Sequence, residues 1–255
     1  MELALPTTGL ERYKSLSQRA RVATESWAGK YLYCPHCPSD SLSRSQANTP
    51  AVDLVCLSCE SAFQLKSQSR PFASRITDSA YEAMMRKILE GKTPNLFALQ
   101  YDLDEWEVRN LFLIPRFAFS SSIVEKRKPL RAQARRAGWV GCNFLIGRIP
   151  AEARIHIVIE GLSSRPTDVR ESYARLRPLQ KLRVEKRGWT LDVMNCLQRL
   201  HKAEFTLAEA YSFEHQLQQI HPRNRHVRDK IRQQLQVLRD LHFVEFLGPG
   251  HYRFV

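Results

Sequence analysis

The stretch Val52-Asp53-Leu54-Val55-Cys56-Leu57-Ser58-Cys59-Glu60-Ser61-Ala62-Phe63-Gln64-Leu65-Lys66 decides how the first half of this chain reads. Two short apolar runs, 52–55 and 62–66, flank a Cys-x-x-Cys pair, which predicts a β-hairpin whose turn is a metal knuckle. Eighteen residues separate this pair from another, Cys34-Pro35-His36-Cys37. Two such knuckles supply the four thiolates of a tetrahedral zinc site: Cys34, Cys37, Cys56 and Cys59. Four protein ligands leave no open position for water, so the expected zinc is structural, with His36 a neighbour rather than a ligand. Cys142 and Cys196 stand apart in apolar surroundings and read as small core residues.

The same hairpin carries a second pattern. Alternate residues of a strand share a face, so Gln64 and Lys66 point together while Phe63 and Leu65 point to the core. On the first strand Asp53 opposes Val52 and Leu54. Pro50-x-x-Asp53 followed by Gln64-x-Lys66 therefore offers an acid, an amide and a cation that can converge. Metal-dependent phosphodiester cleavage needs such a set: oxygens to hold magnesium against the phosphate, and a cation to activate water or offset developing charge. Alternating polar residues on a hairpin are more often a solvated face, and the residues alone leave both readings open.

Working outward, residues 10–27 are helix-compatible, with a short extended stretch at 31–33. Tyr81, Met84, Met85, Ile88 and Leu89 recur at helical spacing, which predicts a helix over 78–91. Strand candidates follow at 96–101, 108–114 and 155–159. The expected fold class is α/β: an α+β sandwich around a mixed sheet, carrying the zinc module. Residues 162–187 are polar and read as a linker, which places a domain boundary near 183 and divides the chain into 1–183 and 184–255. In the second part, helices are expected at 190–201, from the capping box Thr206-Leu207-Ala208-Glu209, and along the apolar stripe Val227, Ile231, Leu235, Leu238 and Leu241. Gly248-Pro249-Gly250 then turns a hairpin, giving a winged helix-turn-helix.

A net charge of +13 over 255 residues makes an acidic polymer the leading partner, ahead of a membrane surface. The start lacks a basic segment followed by an apolar run, and no stretch approaches 18 uninterrupted apolar residues; the expectation is an intracellular protein with no membrane partner. Six cations fall within residues 126–136, Arg135 and Arg136 among them, dense enough to track phosphates. Trp139, framed by Gly138 and Gly141, is a candidate for packing against bases. Arg223, Asn224, Arg225, Arg228 and Arg232 lie at or beyond the start of the last helix, where helix-turn-helix proteins meet DNA.

The chain resembles the DpnI-like methyl-directed (type IIM) restriction endonucleases. The resemblance rests on the cysteine pattern around 50–66, on Ala134-Arg135-Arg136-Ala137-Gly138-Trp139-Val140-Gly141-Cys142-Asn143, on Arg187-Gly188-Trp189-Thr190, and on Lys230-Ile231-Arg232-Gln233-Gln234-Leu235-Gln236-Val237-Leu238-Arg239-Asp240. It implies a PD-(D/E)XK nuclease domain with a four-cysteine zinc site, then a winged helix. Asp53 would be the metal-binding aspartate and Lys66 the catalytic lysine of a magnesium-dependent type II deoxyribonuclease, with manganese able to substitute. Position 64 would normally be acidic. Here it is Gln64, whose amide oxygen can still ligate magnesium without the carboxylate's charge; Glu25 and Glu60 are the acids placed to compensate. The implied substrate is double-stranded DNA carrying N6-methyladenine in GATC, with Trp139 and Asn143 the candidates for sensing the methyl group. The implied setting is the cytoplasm of a bacterial host, and the expected solution state is a monomer. Two alternatives stay open: a methyl-DNA reader that Gln64 leaves weak or unable to cut, and a zinc-ribbon regulator with a winged helix.

Overall fold

A computed structural model describes residues 1–46, 49 and 51–255. Pro50, the first residue of the expected Pro-x-x-Asp pattern, lies outside the described residues. In chain order the first domain comprises α1 (Leu16–Tyr31), β1 (Ser43–Arg44), β2 (Leu54–Val55), β3 (Ala62–Gln68), β4 (Arg75–Ala80), α2 (Tyr81–Leu89), β5 (Asn95–Asp102) and β6 (Glu107–Ile114). It continues with β7 (Val124–Lys126), β8 (Gly141–Leu145), β9 (Ile155–Ile159), β10 (Leu162–Ser163) and α3 (Pro166–Leu176).

The main sheet has the order β1-β2-β3-β5-β6-β9-β10, and its strands pair antiparallel except β3 with β5. That one parallel pair makes the sheet mixed. It also forces the chain to leave the sheet between β3 and β5, and β4 and α2 occupy the crossover. Phe63 stacks on Phe97 at 5.2 Å across the parallel pair, both buried. α1 covers β3: Ser15 caps it by accepting from the Gln18 N–H at 3.2 Å, and Ala20, Ala23, Thr24, Trp27 and Ala28 form its buried stripe. The Thr24 hydroxyl, itself buried, meets Ser67 Oγ at 3.0 Å and fixes the helix against the strand that carries Gln64 and Lys66.

Three expectations are corrected. The helix expected over 78–91 starts only at Tyr81, because Arg75–Ala80 is a strand in which Ile76 and Asp78 are buried and Arg75 and Thr77 exposed. It pairs with β8 in a second sheet, order β4-β8-β7, backed by α2. The first helix begins at Leu16 and runs through Tyr31, since the cap is Ser15 and only Leu32 and Tyr33 of the expected extended stretch leave the helix. The polar segment expected as a linker contains α3, with Pro166 in its first turn and Val169, Tyr173 and Leu176 buried against the sheet.

The second domain is α4 (Val184–Gln198), β11 (Glu204–Thr206), α5 (Leu207–Tyr211), α6 (Glu214–Ile220), α7 (Val227–Asp240), β12 (Val244–Gly248) and β13 (His251–Phe254). The capping box forms: Thr206 Oγ1 accepts from the Glu209 N–H at 3.2 Å, and Glu209 Oε2 accepts from the Thr206 N–H at 2.7 Å. The helix expected at 190–201 begins six residues earlier, at Val184. Its burial runs almost all round, because it packs on two partners. On one side Thr190 donates to the buried Gln234 of α7 at 2.7 Å. On the other, Ser122 of the first domain donates to Asp192 at 2.7 Å, the Ala151 N–H to Gln198 at 2.8 Å, and Asn195 to the Gly147 carbonyl at 3.2 Å. Asp192 also meets His221 Nε2 at 2.9 Å, and the His221 ring stacks on Trp189 at 3.6 Å. One helix thus belongs to both cores.

Candidate nuclease site and zinc centre

The two Cys-x-x-Cys turns fold as a pair of knuckles. The Cys34 N–H reaches the Ser39 carbonyl at 3.0 Å, and the Cys56 N–H reaches the Ser61 carbonyl at 2.9 Å. These turns bring the four thiols together: Cys34 Sγ lies 3.6 Å from Cys59 Sγ, Cys37 Sγ 3.6 Å from Cys56 Sγ, and all four ligand atoms lie within 4.8 Å of one another. A tetrahedron with Zn–S bonds of about 2.3 Å needs S···S separations of about 3.8 Å, so the cluster can hold zinc. Burial works against the Cys56 thiolate, but the N–H groups of Cys59 and Ser58 outweigh it and bring the thiol down to about 6. That favours the ligating form. His36 stays outside the cluster, with Nδ1 against Ser61 Oγ at 3.0 Å. α3 braces the first knuckle: Arg170 donates to the carbonyls of Cys34 at 3.1 Å and Ser39 at 3.0 Å, and Arg177, just past the helix, donates to that of His36 at 3.1 Å.

The knuckle that holds Cys56 and Cys59 is also the turn between β2 and β3, so it sets the positions of Asp53, Gln64 and Lys66. The Asp53 N–H bonds the Phe63 carbonyl at 2.9 Å, and Asp53 Oδ2 accepts from the Leu65 N–H at 2.7 Å. Its carboxylate is therefore anchored at the residue between Gln64 and Lys66. Those two side chains meet on a third group: Gln64 Nε2 donates to Asp78 Oδ1 at 2.9 Å, and Lys66 Nζ lies 2.8 Å from the same oxygen. Asp78, on β4, has its side chain fully buried. Burial alone would raise its pKa, yet Lys66, the Ser79 N–H and the Gln64 amide hold the carboxyl below its usual range. Gln64 and Lys66 are thus joined through Asp78, whereas Asp53 is tied to them through backbone.

Asp53 opens instead onto a cavity of about 440 Å³ that it shares with Arg21, Glu25, Arg44, Val52 and Leu65. Leu65, expected to point into the core, is half-buried and lines this cavity as well as packing on the core. Burial raises the Glu25 carboxyl, and Arg21, 3.3 Å away, pulls it back. Glu60 is exposed in the knuckle turn, at φ +58°.

Of the other expected site residues, Arg135 and Arg136 are exposed in the loop between β7 and β8. Trp139 is half-buried there, with the Arg136 guanidinium 4.8 Å above its ring. The indole lies so close to Gly141 that a Cβ there would come within 2.7 Å of it; only glycine permits this closure. Asn143 is engaged elsewhere, donating to Glu125 at 2.8 Å, while Arg75 grips the same carboxylate at 2.7 and 2.9 Å. Trp139 and Asn143 therefore sit in separate networks. In the second domain Arg223, Arg225 and Arg232 are exposed, and Asn224 caps the turn before α7 by accepting from the His226 N–H at 2.8 Å. Arg228 is held by Glu214 at 2.7 Å.

Two family models match this chain: one described as the Dam-replacing family over residues 1–182, and one described as the Dam-replacing HTH domain over 185–254. The chain belongs to the DpnI-type Dam-replacing family. Family membership places the chain in a methylation-dependent restriction-enzyme family, with a nuclease-type mixed-sheet domain followed by a DNA-binding helix-turn-helix domain. Sequence reading missed Asp78, the group on which Gln64 and Lys66 converge. Its signal was the alternation Arg75-Ile76-Thr77-Asp78, hidden because Asp78 also reads as the first turn of the helix that follows.

Proposed function

We propose that this protein is a type II endonuclease that cuts double-stranded DNA at GATC sites carrying N6-methyladenine. The observation that carries the reading is the meeting of Lys66 and Gln64 on buried Asp78, beside an Asp53 carboxylate that opens to a cavity. Asp53 and Glu25 face that cavity with hard oxygen donors, and Gln64, which spends its Nε2 on Asp78, keeps its carbonyl oxygen as an acceptor. This donor chemistry fits magnesium, or manganese in its place; Asp53 and Glu25 would hold it, whereas Gln64 is bonded to Asp78 and is not among the residues that line this cavity. When bound, the cation supplies Lewis-acid stabilisation of the scissile phosphate and a more acidic water. Lys66 offsets charge that develops on the phosphate, and Asp78, 2.8 Å from its ammonium, keeps it in place. A structural zinc on Cys34, Cys37, Cys56 and Cys59 fixes the hairpin that carries Asp53, Gln64 and Lys66.

DNA is held by Arg135 and Arg136 on the β7–β8 loop and by Arg223, Asn224, Arg225, Arg228 and Arg232 around α7. Trp139 offers an apolar surface to a methyl group in the major groove. The Asn143 amide, already bonded to Glu125, supports the loop from below. Incubating adenine-methylated and unmethylated plasmid with the protein and magnesium tests this: methylated plasmid is expected to be linearised and unmethylated plasmid left intact. Cutting that ignores methylation sinks the specificity.

Gln64 itself favours the second reading, a methyl-DNA reader that does not cut. Gln64→Glu separates the two. If the protein is an endonuclease, the substitution changes the magnesium concentration needed for half-maximal cutting while parent activity is already measurable. Cutting that exists only in the variant makes the parent a reader.

A further inference from the structure

Where the domains meet, Arg116 follows β6 and residues 177–183 lead into α4. A cavity of about 450 Å³ lies between them, lined by Arg116, Lys181, Arg183, Val184 and Arg187. Arg187 lines it and is only 6% exposed. Its guanidinium makes one long hydrogen bond, Nη1 to the Leu182 carbonyl at 3.5 Å, and its Nε has no partner among the described residues. Burial, and then the charge of Arg116, hold its pKa below the ordinary arginine value. Among the described residues the one acid in the lining, Glu90, is tied to Lys92 at 2.9 Å.

The first turn of α4 lines the same cavity. Its N-cap, Arg183, makes no side-chain capping bond, so among the described residues the positive end of this fifteen-residue helix is left without a capping side chain. Glu185, the acid of that turn, lines a different cavity with Trp189 and His221. A buried guanidinium facing another cation beside a helix N-terminus is costly unless an anion offsets it.

We propose that this junction is an oxyanion site that takes a phosphate group, held by Arg187, Arg116 and the start of α4, with Lys181 and Arg183 at its rim. The planar guanidinium fork and the helix N–H groups match phosphate oxygens, and the site accepts either a backbone phosphate of DNA or free phosphate.

The full chain and its Arg116→Gln/Arg183→Gln variant test it, since both positions are exposed and a circular-dichroism spectrum confirms folding. Inorganic phosphate is compared with chloride at equal ionic strength. At tenfold over its Kd, phosphate is expected to raise the parent's melting temperature by about 3–6 °C and the variant's by much less. This arm does not depend on the nuclease reading. The salt dependence of duplex binding then identifies the source: a slope of log K against log salt shallower in the variant by about 0.9 or more means a backbone phosphate occupies the site, and an unchanged slope means free phosphate does. A parent that responds equally to phosphate and chloride, or a variant that responds as the parent does, overturns the proposal.

Discussion

Stripping zinc from the four thiols with a strong chelator, or replacing Cys56 by Ser, is expected to unfold much of the first domain and abolish cutting together. Structural zinc contributes an apparent free energy on the order of 10–16 kcal/mol at pH 7, as large as the 5–15 kcal/mol that holds a typical domain together. Here the metal would replace a covalent tie between the end of α1 and the β2–β3 turn. Without it, four thiols within 4.8 Å have no common partner, and burial then drives Cys34 toward the neutral form. The Arg170 and Arg177 contacts to knuckle carbonyls would be lost with the turns that present them. Native mass spectrometry should find one zinc per chain in the parent. A Cys56→Ser chain that melts at the parent's temperature contradicts a structural metal.

The second large effect is on chemistry rather than folding. Lys66→Met is expected to lower the cleavage rate by about 10²–10³, the usual cost of losing one group that stabilises transition-state charge. Binding of methylated duplex should change little. A zinc-ribbon regulator would have no activity to lose. Asp78→Asn is expected to give a smaller loss, because an amide still bonds Gln64 but leaves the Lys66 ammonium without its charge partner. In the Lys66→Met background the same change should cost almost nothing further, since both act through one contact. The Asp78 carboxyl is held below the ordinary carboxylate value, so its ion pair contributes fully above about pH 4 and is lost only as pH falls through the lower folded value. Cleavage by the parent should therefore show no acid limb from this pair between pH 5 and 8. A loss on Asp78→Asn that is equal with and without Lys66 would show that the carboxylate acts on folding alone.

The zinc knuckles were legible because ligand spacing is local: two Cys-x-x-Cys pairs constrain their own turns whatever surrounds them. The pairing of Gln64 with Lys66 followed from strand parity, another local rule. Asp78 was not legible, since its role depends on β4 pairing with β8, more than sixty residues downstream, and no periodicity within one segment encodes that. α3 was hidden by composition. Its buried positions Val169, Tyr173 and Leu176 are sparse among charged residues, and the informative signals were Pro166 at the start and Asp168 in the first turn. The missed start of α4 has a different cause. A helix with two partners shows no polar face, so amphipathic patterning cannot mark where it begins.

That shared helix bears on how the molecule searches DNA. Were the two domains joined by a slack tether, each could bind a separate stretch of duplex, and linker length would govern how strongly they reinforce one another. With α4 bonded to both domains, the β7–β8 loop and the basic start of α7 are joined through packed structure rather than through a tether. If both hold DNA as proposed, their simultaneous engagement would be a matter of helical phase along the duplex, and a substrate would be judged by how well its contours match that spacing.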